Sequence, residues 1–293
     1  MKRLFAFCLF MIVLLSQGAL ADIVPIPDSA TEGYPYSEEA RVAPLEYLDE
    51  SIHVRIEQMK HKKIICTIAY VTIADPSQLR TAMSSDRYDD HRYVKTLVMA
   101  KKANAVVAVN GDFFKYNTFG YTVRQGNVYR QRPDGIHDIL LIDDLGDFFV
   151  LRAATEEMVQ TFLDALPSER RIMNTFNFGP LLVENGQALP ITIKLYAPDA
   201  TNQRVALVQT GEKEYAMVHC TGDVQVKGSG LTMDEFAEFI ADTIPEAKIA
   251  YNLDGGGSAH MAFMGKLMNS NNQWRSISDI VYFATAVPPK EGE

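Results

Sequence analysis

Short apolar runs separated by turn residues recur along most of the chain. Residues 51–58 (SIHVRIEQ) alternate apolar and polar side chains with a period of two, which predicts a half-buried strand. The run KIICTIAYVTI at residues 63–73 is apolar almost throughout and predicts a central strand. Pairs of such runs joined by short turns predict hairpins in GYTVRQGNVYR, DILLIDDLGDFFVL, FNFGPLLVENGQAL and QRVALVQTGEKEYAMVHC.

Three segments instead place their apolar residues at helical spacing. They are HRYVKTLVMAKKAN at residues 91–104, ATEEMVQTFLDAL at 154–166 and LTMDEFAEFIADTI at 231–244. The last begins with a capping box formed by Thr232 and Glu235. Because hairpins outnumber crossover helices, we expect an α+β fold of mixed, largely antiparallel sheets with a few covering helices, in a single domain over residues 51–287.

The two ends of the chain carry different patterns. Residues 1–21 join a basic start, MKR, to an apolar run and an A-x-A cleavage pattern before Asp22, which predicts a signal peptide and a secreted or extracytoplasmic protein. Residues 22–50 carry prolines and acids without periodicity and are expected to form an extended arm, and residues 288–293 a tail. No later run is long and apolar enough to predict a transmembrane segment.

Composition narrows the classes of partner. The formal charge is −9 and becomes −11 without Lys2 and Arg3, so a broad nucleic-acid-binding surface is not expected. Cys66 and Cys220 each lie in strand-like runs, and either one disulfide or two buried thiols would fit the pattern. Nothing in the sequence indicates an oligomeric state.

The segment NLDGGGSAHM at residues 252–261 is the first candidate for chemistry. Asp254 precedes three glycines, Gly255 to Gly257, and Ser258 follows them. Backbone amides without Cβ atoms approach a ligand closely and form a donor surface that suits an oxyanion, although a tight turn at a strand end would use the same residues. The segment NGDFF at residues 110–114 repeats the pattern of strand, glycine and carboxylate, with a plain Asn-Gly turn as the alternative.

Other polar residues fit more than one interpretation. Arg204 opens a strand and is either an edge residue with its charge in solvent or an anion-binding group facing a cleft. Asp223 is typical of a turn. The pair His137–Asp138 lacks correctly spaced partners for a metal site. A cluster at residues 86–91, with Asp86, Asp89, Asp90 and His91, would fit either a metal-dependent phosphodiesterase or a solvated loop.

In chain order, several of these segments resemble the phosphodiester glycosidase family over about residues 50–287. The matching segments are NGDFF, FGPLLVENG, NQRVALVQ, GLTMDEFAEFI, NLDGGGSAHM and the region of Arg275 in WRSISDIVYFA. The resemblance implies a hydrolase that cleaves the sugar–phosphate glycosidic bond of a sugar 1-phosphodiester of the N-acetylglucosamine type. Free sugar and a phosphomonoester would be released, and the partner would be a sugar phosphodiester or an envelope glycan.

The resemblance also implies which residues form the site. The candidate catalytic carboxylates are Asp254, Asp112 and Asp223, since carboxylates normally stabilise an oxocarbenium-like transition state. The candidate substrate- and phosphate-binding residues are Asn110, Gly111, Arg204, Gly255, Gly256, Gly257, Ser258 and Arg275. The sequence requires no cofactor and assigns no metal ligand, while Ca²⁺ remains compatible with a carboxylate-rich pocket.

The chain departs from the family pattern at two of these segments, and one departure motivates an alternative. Gln203–Arg204–Val205 stands where the family usually has Pro-Arg-Thr, and Gly222–Asp223–Val224 lacks the arginine of an Asp-Gly-Arg-like element. The missing arginine after Asp223 would also fit a noncatalytic extracellular module that binds a carbohydrate or an anionic polymer on the same fold.

Overall fold

Antiparallel pairing joins the strands of the computed structural model, which describes residues 22–193, 195–222, 229–268 and 275–289. The predicted signal peptide, the end of the predicted tail and Asp223 lie outside the described residues.

The described residues form eighteen strands. In chain order they are β1 (Glu46–Leu48), β2 (Ile52–His61), β3 (Ile64–Ile73), β4 (Leu79–Met83), β5 (Val107–Asn110), β6 (Gly120–Arg124), β7 (Asn127–Arg132), β8 (Ile139–Asp143), β9 (Phe148–Leu151), β10 (Ile172–Phe176), β11 (Leu181–Glu184), β12 (Gln187–Ala188), β13 (Arg204–Gly211), β14 (Glu214–Cys220), β15 (Ile249–Leu253), β16 (Met261–Phe263), β17 (Lys266–Leu267) and β18 (Asp279–Phe283). The predicted hairpins correspond to the pairs β6–β7, β8–β9, β11–β12 and β13–β14.

Three helices of the described chain lie where the periodicity predicts them. They are α1 (Thr96–Lys102), α2 (Glu156–Ala165) and α3 (Met233–Thr243). The capping box of α3 is present, with the Thr232 hydroxyl accepting from the Glu235 amide and the Glu235 carboxylate accepting from the Thr232 amide. Helix α2 ends just before Pro167, which cannot continue a helix. None of the helices in the described ranges has the length and apolar character of a membrane crossing.

The strands assemble into one large sheet and three smaller ones. The eight-stranded sheet has the order β1-β2-β3-β14-β13-β15-β11-β12, and a five-stranded sheet has the order β17-β16-β5-β18-β4. A three-stranded sheet, β10-β8-β9, and the hairpin β6-β7 complete the set. The central position predicted for residues 63–73 is confirmed, because β3 lies inside the large sheet. The α+β prediction is likewise confirmed.

The two faces of the large sheet contribute to different cores. Val205 and Leu253 pack with Val109 of the five-stranded sheet, whereas Ala206 on the opposite face packs against Phe236 of α3 and its neighbours. This division follows from the alternation of side chains along each strand. Fully burying a Val, Leu or Phe side chain contributes roughly 1.5–3 kcal/mol, so these two layers are the main source of stability.

Residues 22–50 are more closely tied to the domain than an extended arm requires. Strand β1 pairs with β2 at the edge of the large sheet, and Tyr47 is buried in the core. Ile26 is also buried, and the Arg80 guanidinium donates to the carbonyl of Ala30 at 2.7 Å. The segment is therefore anchored to the fold at both of its ends.

Strand pairing decides where the candidate residues meet. Val205 of β13 is opposite Leu253 of β15, so the start of β13 and the end of β15 lie at the same edge of the large sheet. From that edge residues 254–260 cross to β16, which pairs with β5 of the five-stranded sheet. Cys220 is opposite Cys66 in the adjacent strands, and the two form a disulfide, which decides between the bridge and the buried thiols.

Candidate active site

Hydrogen bonds join the two loops that follow β5 and β15. The Asn110 side-chain amide donates to the Asp254 carbonyl at 2.6 Å, and the Asp254 amide donates to the Gly111 carbonyl at 3.3 Å. The amide of His260 donates to the Asn110 carboxamide oxygen at 3.1 Å. Asn110 is fully buried and connects the loops, so the structure places its side chain in this joint and not in the neighbouring cavity.

A cavity of about 520 Å³ opens beside this joint. It is lined by Phe113, Tyr116, Phe178, Tyr196, Asn202, Arg204, Asp254, Gly255, Gly256 and Arg275. Its volume falls in the range typical of small-ligand sites, and a mixture of aromatic walls and a few charged groups is characteristic of them. The sequence-predicted residues Arg204, Asp254, Gly255, Gly256 and Arg275 are therefore brought together around one space.

Asp254 is the carboxylate that lines the cavity. Burial raises its pKa to about 6, because desolvation disfavours the charged form. A hydrogen bond from the Ser258 hydroxyl, the positive charge of Arg275 and a hydrogen bond from the Gly255 amide act in the opposite direction and keep the rise moderate. Asp254 is thus mainly ionised at neutral pH, and it takes up a proton near pH 6.

The glycine loop owes part of its composition to its own packing. A Cβ atom on Gly255 would lie 2.8 Å from the Gln203 carbonyl oxygen, and Gly256 has a φ of +57°. The Gly256 amide donates to that same carbonyl at 2.9 Å. The expectation of three amides facing an anion is therefore wrong at Gly256, whose N–H docks the loop onto the start of β13. Gly257 contributes a carbonyl that accepts from the Arg275 amide at 3.2 Å.

Arg204 supplies a buried positive charge to the cavity. Only 3% of the residue is exposed, which excludes the edge position with its charge in solvent. Its Nε donates to the Leu231 carbonyl at 3.0 Å and its Nη2 to the Ala200 carbonyl at 2.7 Å, and it forms no ion pair with any described residue. Burial lowers its pKa to about 10, so it stays protonated at neutral pH. A fixed cation that pairs with no carboxylate of the described residues is suited to binding an anion.

Arg275 completes the charged part of the cavity from its exposed side. The residue is exposed, and its Nη1 donates to the Ser258 hydroxyl oxygen at 3.3 Å. Ser258 is fully buried and also hydrogen-bonds Asp254, so it connects the carboxylate to the guanidinium.

Asp112 lies behind the cavity and does not line it. One carboxylate oxygen accepts from the Phe114 amide at 3.0 Å and from Arg124 at 3.2 Å, and the other accepts from the Asn177 amide at 2.9 Å. Its residue is 3% exposed. These donors and the burial place Asp112 in a supporting position, which corrects its prediction as a group that contacts the reacting atoms.

Arg124 and Asp279 form the rest of this buried network. Arg124 Nη2 lies 2.6 Å from the Asp279 carboxylate, and the guanidinium stacks between Phe114 and Phe176. Burial raises the pKa of Asp279 to about 7, opposed by the charge of Arg124 and reinforced by Asp112. A Cβ atom on Gly111 would lie 2.5 Å from this carboxylate, so Gly111 is required by close packing and not by a ligand.

Aromatic residues form a wall that the sequence prediction missed. The rings of Phe178 and Tyr196 are stacked with centroids 4.3 Å apart, and Phe113 meets them edge-on at 5.0 and 5.3 Å. Phe113 and Phe178 lie within the segments NGDFF and FGPLLVENG, which carry the family resemblance, so these segments could have indicated both rings as candidate site residues. Tyr196 lies in a connection without any recognisable motif.

The described residues give no support to a metal-dependent phosphodiesterase. Within the described ranges no three His, Cys, Asp or Glu side chains converge as a metal site. Asp89 pairs with Arg87, and the Asp90 carboxylate accepts from Ser85, as expected for a solvated loop. The compatibility of the pocket with Ca²⁺ stays a prediction.

Comparisons with known proteins identify a family and solved structures with the same fold. A family model described as phosphodiester glycosidase matches residues 103–284. Among curated proteins no match is found. Two solved structures share the fold. The catalytic domain of zebrafish N-acetylglucosamine-1-phosphodiester alpha-N-acetylglucosaminidase, auto-inhibited by its pro-peptide, has 18% identity and a TM-score of 0.61, with 87% of each chain covered. A hypothetical protein from Synechocystis has 15% identity and a TM-score of 0.55, with 82% of this chain and 64% of that chain covered.

The family match extends over more than half of the chain and spans the joined loops and the glycine segment, from Ala103 beyond Arg275 to Ala284. The chain therefore belongs to the phosphodiester glycosidase family.

Proposed function

We propose that the protein is a secreted hydrolase that cleaves the glycosidic bond of a sugar 1-phosphodiester of the N-acetylglucosamine type. The observation that carries this proposal is that the buried cation Arg204 and the carboxylate of Asp254 line the same cavity. Family membership supports glycosidase chemistry in general. The named substrate of the zebrafish relative supports the choice of sugar.

The phosphate group would occupy the positively charged side of the cavity. A phosphodiester carries a single negative charge, and Arg204 presents a charge that no described carboxylate neutralises. Its three hydrogen bonds to main-chain carbonyls hold the guanidinium in place, so little conformational freedom is lost when the anion binds. Arg275, on the exposed side, would contact the same phosphate and close the site against solvent.

Asp254 would act at the anomeric carbon. The bond between that carbon and the phosphate oxygen breaks, and its electron pair leaves with the phosphomonoester. The positive charge that develops on the sugar ring is stabilised by the adjacent carboxylate. Water supplies the new C–O bond, and its proton passes to Asp254 if the carboxylate acts as base. If Asp254 instead attacks first, water cleaves the resulting glycosyl ester in a second step.

Two further features fit this role. The basic and apolar leader of residues 1–21 would direct export. The disulfide between Cys66 and Cys220 is of the kind that persists in oxidising compartments, which supports an extracytoplasmic location.

The test is hydrolysis of the methyl phosphodiester of N-acetylglucosamine 1-phosphate by the purified protein, followed by chromatography of the released sugar. We expect turnover by the unchanged protein and at least a hundredfold loss in Asp254→Asn, with Asp242→Asn of exposed helix surface as the matched control. Tight binding without turnover, with the same affinity in Asp254→Asn, would instead support the noncatalytic binding module. Proton NMR of the first-formed anomer distinguishes the base from the nucleophile.

A further inference from the structure

A chain of three hydrogen-bonded side chains leads into the aromatic wall of the cavity. His137 Nδ1 lies 2.7 Å from the Asp134 carboxylate, and His137 Nε2 lies 2.7 Å from the Tyr196 hydroxyl. The His137 ring is buried and stacks on Phe119 at 4.2 Å, which fixes its plane. The chain is separate from Asp254 and from the two arginines, and the chemistry proposed above does not use it.

The hydrogen-bonding roles along this chain follow from the groups present. Burial alone would raise the pKa of Asp134, but hydrogen bonds from the His137 and Ile136 amides and from the imidazole outweigh it and lower the pKa. The carboxylate is therefore ionised and accepts hydrogen bonds. It therefore receives the Nδ1 proton, and the tautomer with its hydrogen on Nδ1 offers a lone pair at Nε2. The Tyr196 hydroxyl, whose pKa is raised by burial and then by Asp112, Asp134 and Asp254, keeps its proton and donates it to Nε2.

This assignment leaves the Tyr196 oxygen with lone pairs and no proton to offer to a ligand. Tyr196 is partly exposed and lines the cavity, and its ring is held between Phe178 and the edge of Phe113. Tyr196 thus carries a fixed acceptor oxygen on the aromatic wall, in a cavity whose other polar side chains include the donors Arg204 and Arg275 and the carboxylate of Asp254.

The backbone at Tyr196 is in an unfavourable conformation. Tyr196 has a φ of +58° and Ala197 a φ of +47°, two successive left-handed residues of which neither is glycine. A bulky residue adopts this region rarely, and such strain is retained where the surrounding structure determines it and concentrates at functional sites. Here the hydrogen bond to His137 and the stacking on Phe178 hold the side chain in place.

We propose that Tyr196 is a sugar-contacting residue whose oxygen accepts a hydrogen bond from a hydroxyl or amide N–H of the bound sugar, and that His137 and Asp134 are its positioning residues. This inference rests on the proposed function, because it assigns the sugar to the aromatic side of the cavity and the phosphate to the side of Arg204.

The experiment compares four single variants and the double variant Tyr196→Phe/His137→Phe with the unchanged protein on the same phosphodiester. Tyr196→Phe removes the oxygen and keeps the stacked ring, and His137→Phe keeps the ring on Phe119 and removes both nitrogens. His137→Gln retains an acceptor near the position of Nε2. Tyr129→Phe, on an exposed tyrosine outside the cavity, is the matched control.

We expect Tyr196→Phe and His137→Phe each to raise KM roughly five- to tenfold with kcat within about twofold, as for one lost neutral hydrogen bond. The double variant should be no worse than Tyr196→Phe alone, because His137 acts through that oxygen. His137→Gln should recover part of the loss. Equal thermal midpoints across the variants separate binding from folding. Multiplying effects in the double variant, or a KM for Tyr196→Phe equal to that of Tyr129→Phe, would overturn the proposal.

Failure of the proposed function is distinguished by a second measurement that needs no turnover. Binding of free N-acetylglucosamine is followed by NMR titration in the same proteins. If the phosphodiester is not hydrolysed, a five- to tenfold weaker dissociation constant in Tyr196→Phe still supports the sugar contact. An unchanged dissociation constant refutes the contact whatever the outcome for hydrolysis.

Discussion

Replacing Ser258 with alanine tests the role of Asp254 through its protonation. The buried Ser258 hydroxyl hydrogen-bonds the Asp254 carboxylate and favours its ionised form, while burial holds the pKa at about 6. Without that donor the charged form loses stabilisation and the neutral form does not. The pKa of Asp254 must therefore rise, and activity that depends on the carboxylate must begin at a higher pH.

The size of this change follows from the strength of the lost bond. A hydrogen bond to a charged group contributes about 1.5–3 kcal/mol, and one pKa unit corresponds to about 1.4 kcal/mol. The full loss would raise the pKa by about one to two units. Water entering the small space of the missing hydroxyl replaces part of the interaction, as does Arg275, which also contacts Ser258. We therefore expect a shift of about one unit.

The assay is kcat/KM for the phosphodiester between about pH 4.5 and 9 at constant ionic strength, since this parameter reports the free enzyme. For the unchanged protein we expect the acid limb near the Asp254 pKa of about 6. Ser258→Ala should move the limb upward, while Ser258→Thr, which keeps the hydroxyl, should leave it in place. A limb that stays put or moves to lower pH in the alanine variant would show that Asp254 is not the group that titrates.

Three further predictions address the rest of the site. The folded pKa of Asp254 lies above the ordinary 3.8, so the stability it contributes is full below about pH 4 and is lost as pH rises through 6. Asp254→Asn should therefore stabilise the protein at pH 7.5, by up to about 3 kcal/mol, and not at pH 4. If thermal melts give the variant and the unchanged protein the same midpoint at pH 7.5 as well as at pH 4, this reasoning is contradicted. Arg275→Met should raise KM about tenfold and weaken inhibition by inorganic phosphate without altering stability, because the residue is exposed; an unchanged inhibition constant would remove it from the anion site. Gly111→Ala should lower the free energy of unfolding, measured in urea, by about 1–3 kcal/mol, because the new Cβ meets the immobile Asp279 carboxylate. Unaltered stability would mean that the Arg124–Asp279 network moves aside to accommodate the methyl group.

Local patterns were sufficient to predict most elements of the fold. The hairpin β13–β14 and the capped helix α3 are specified by residues close together in the chain, through alternation and through the Thr232–Glu235 capping box. The positions of Asp254 and Arg204 were also predictable as strand ends. Their meeting depends on the pairing of β13 with β15, which the sequence pattern alone does not specify.

The role of Asp112 was not predictable in the same way. Its partner Arg124 is twelve residues away, and Arg124 in turn binds Asp279, 155 residues further along the chain. Nothing near NGDFF shows that a guanidinium is buried behind it. A carboxylate in a motif therefore looks the same whether it faces a substrate or an internal cation.

The sequence pattern could not have identified Tyr196 as a residue of the cavity either. Its place in the cavity depends on a left-handed backbone and on a hydrogen bond to His137, 59 residues earlier. In the sequence, His137 suggests a metal ligand, since imidazole followed by a carboxylate is typical of that use. The structure shows instead that its acidic partner is Asp134, three residues before it.

The cavity combines two kinds of chain segment, and this has a consequence for divergence within the family. Two of its charges, Arg204 and Asp254, sit at the ends of paired strands, whereas Phe113, Phe178 and Tyr196 belong to three separate connections. Insertions or exchanges in those connections leave the strand register untouched. On the proposed assignment, selectivity for the sugar can therefore be redesigned one loop at a time, while the residues proposed to bind the phosphate are inherited unchanged.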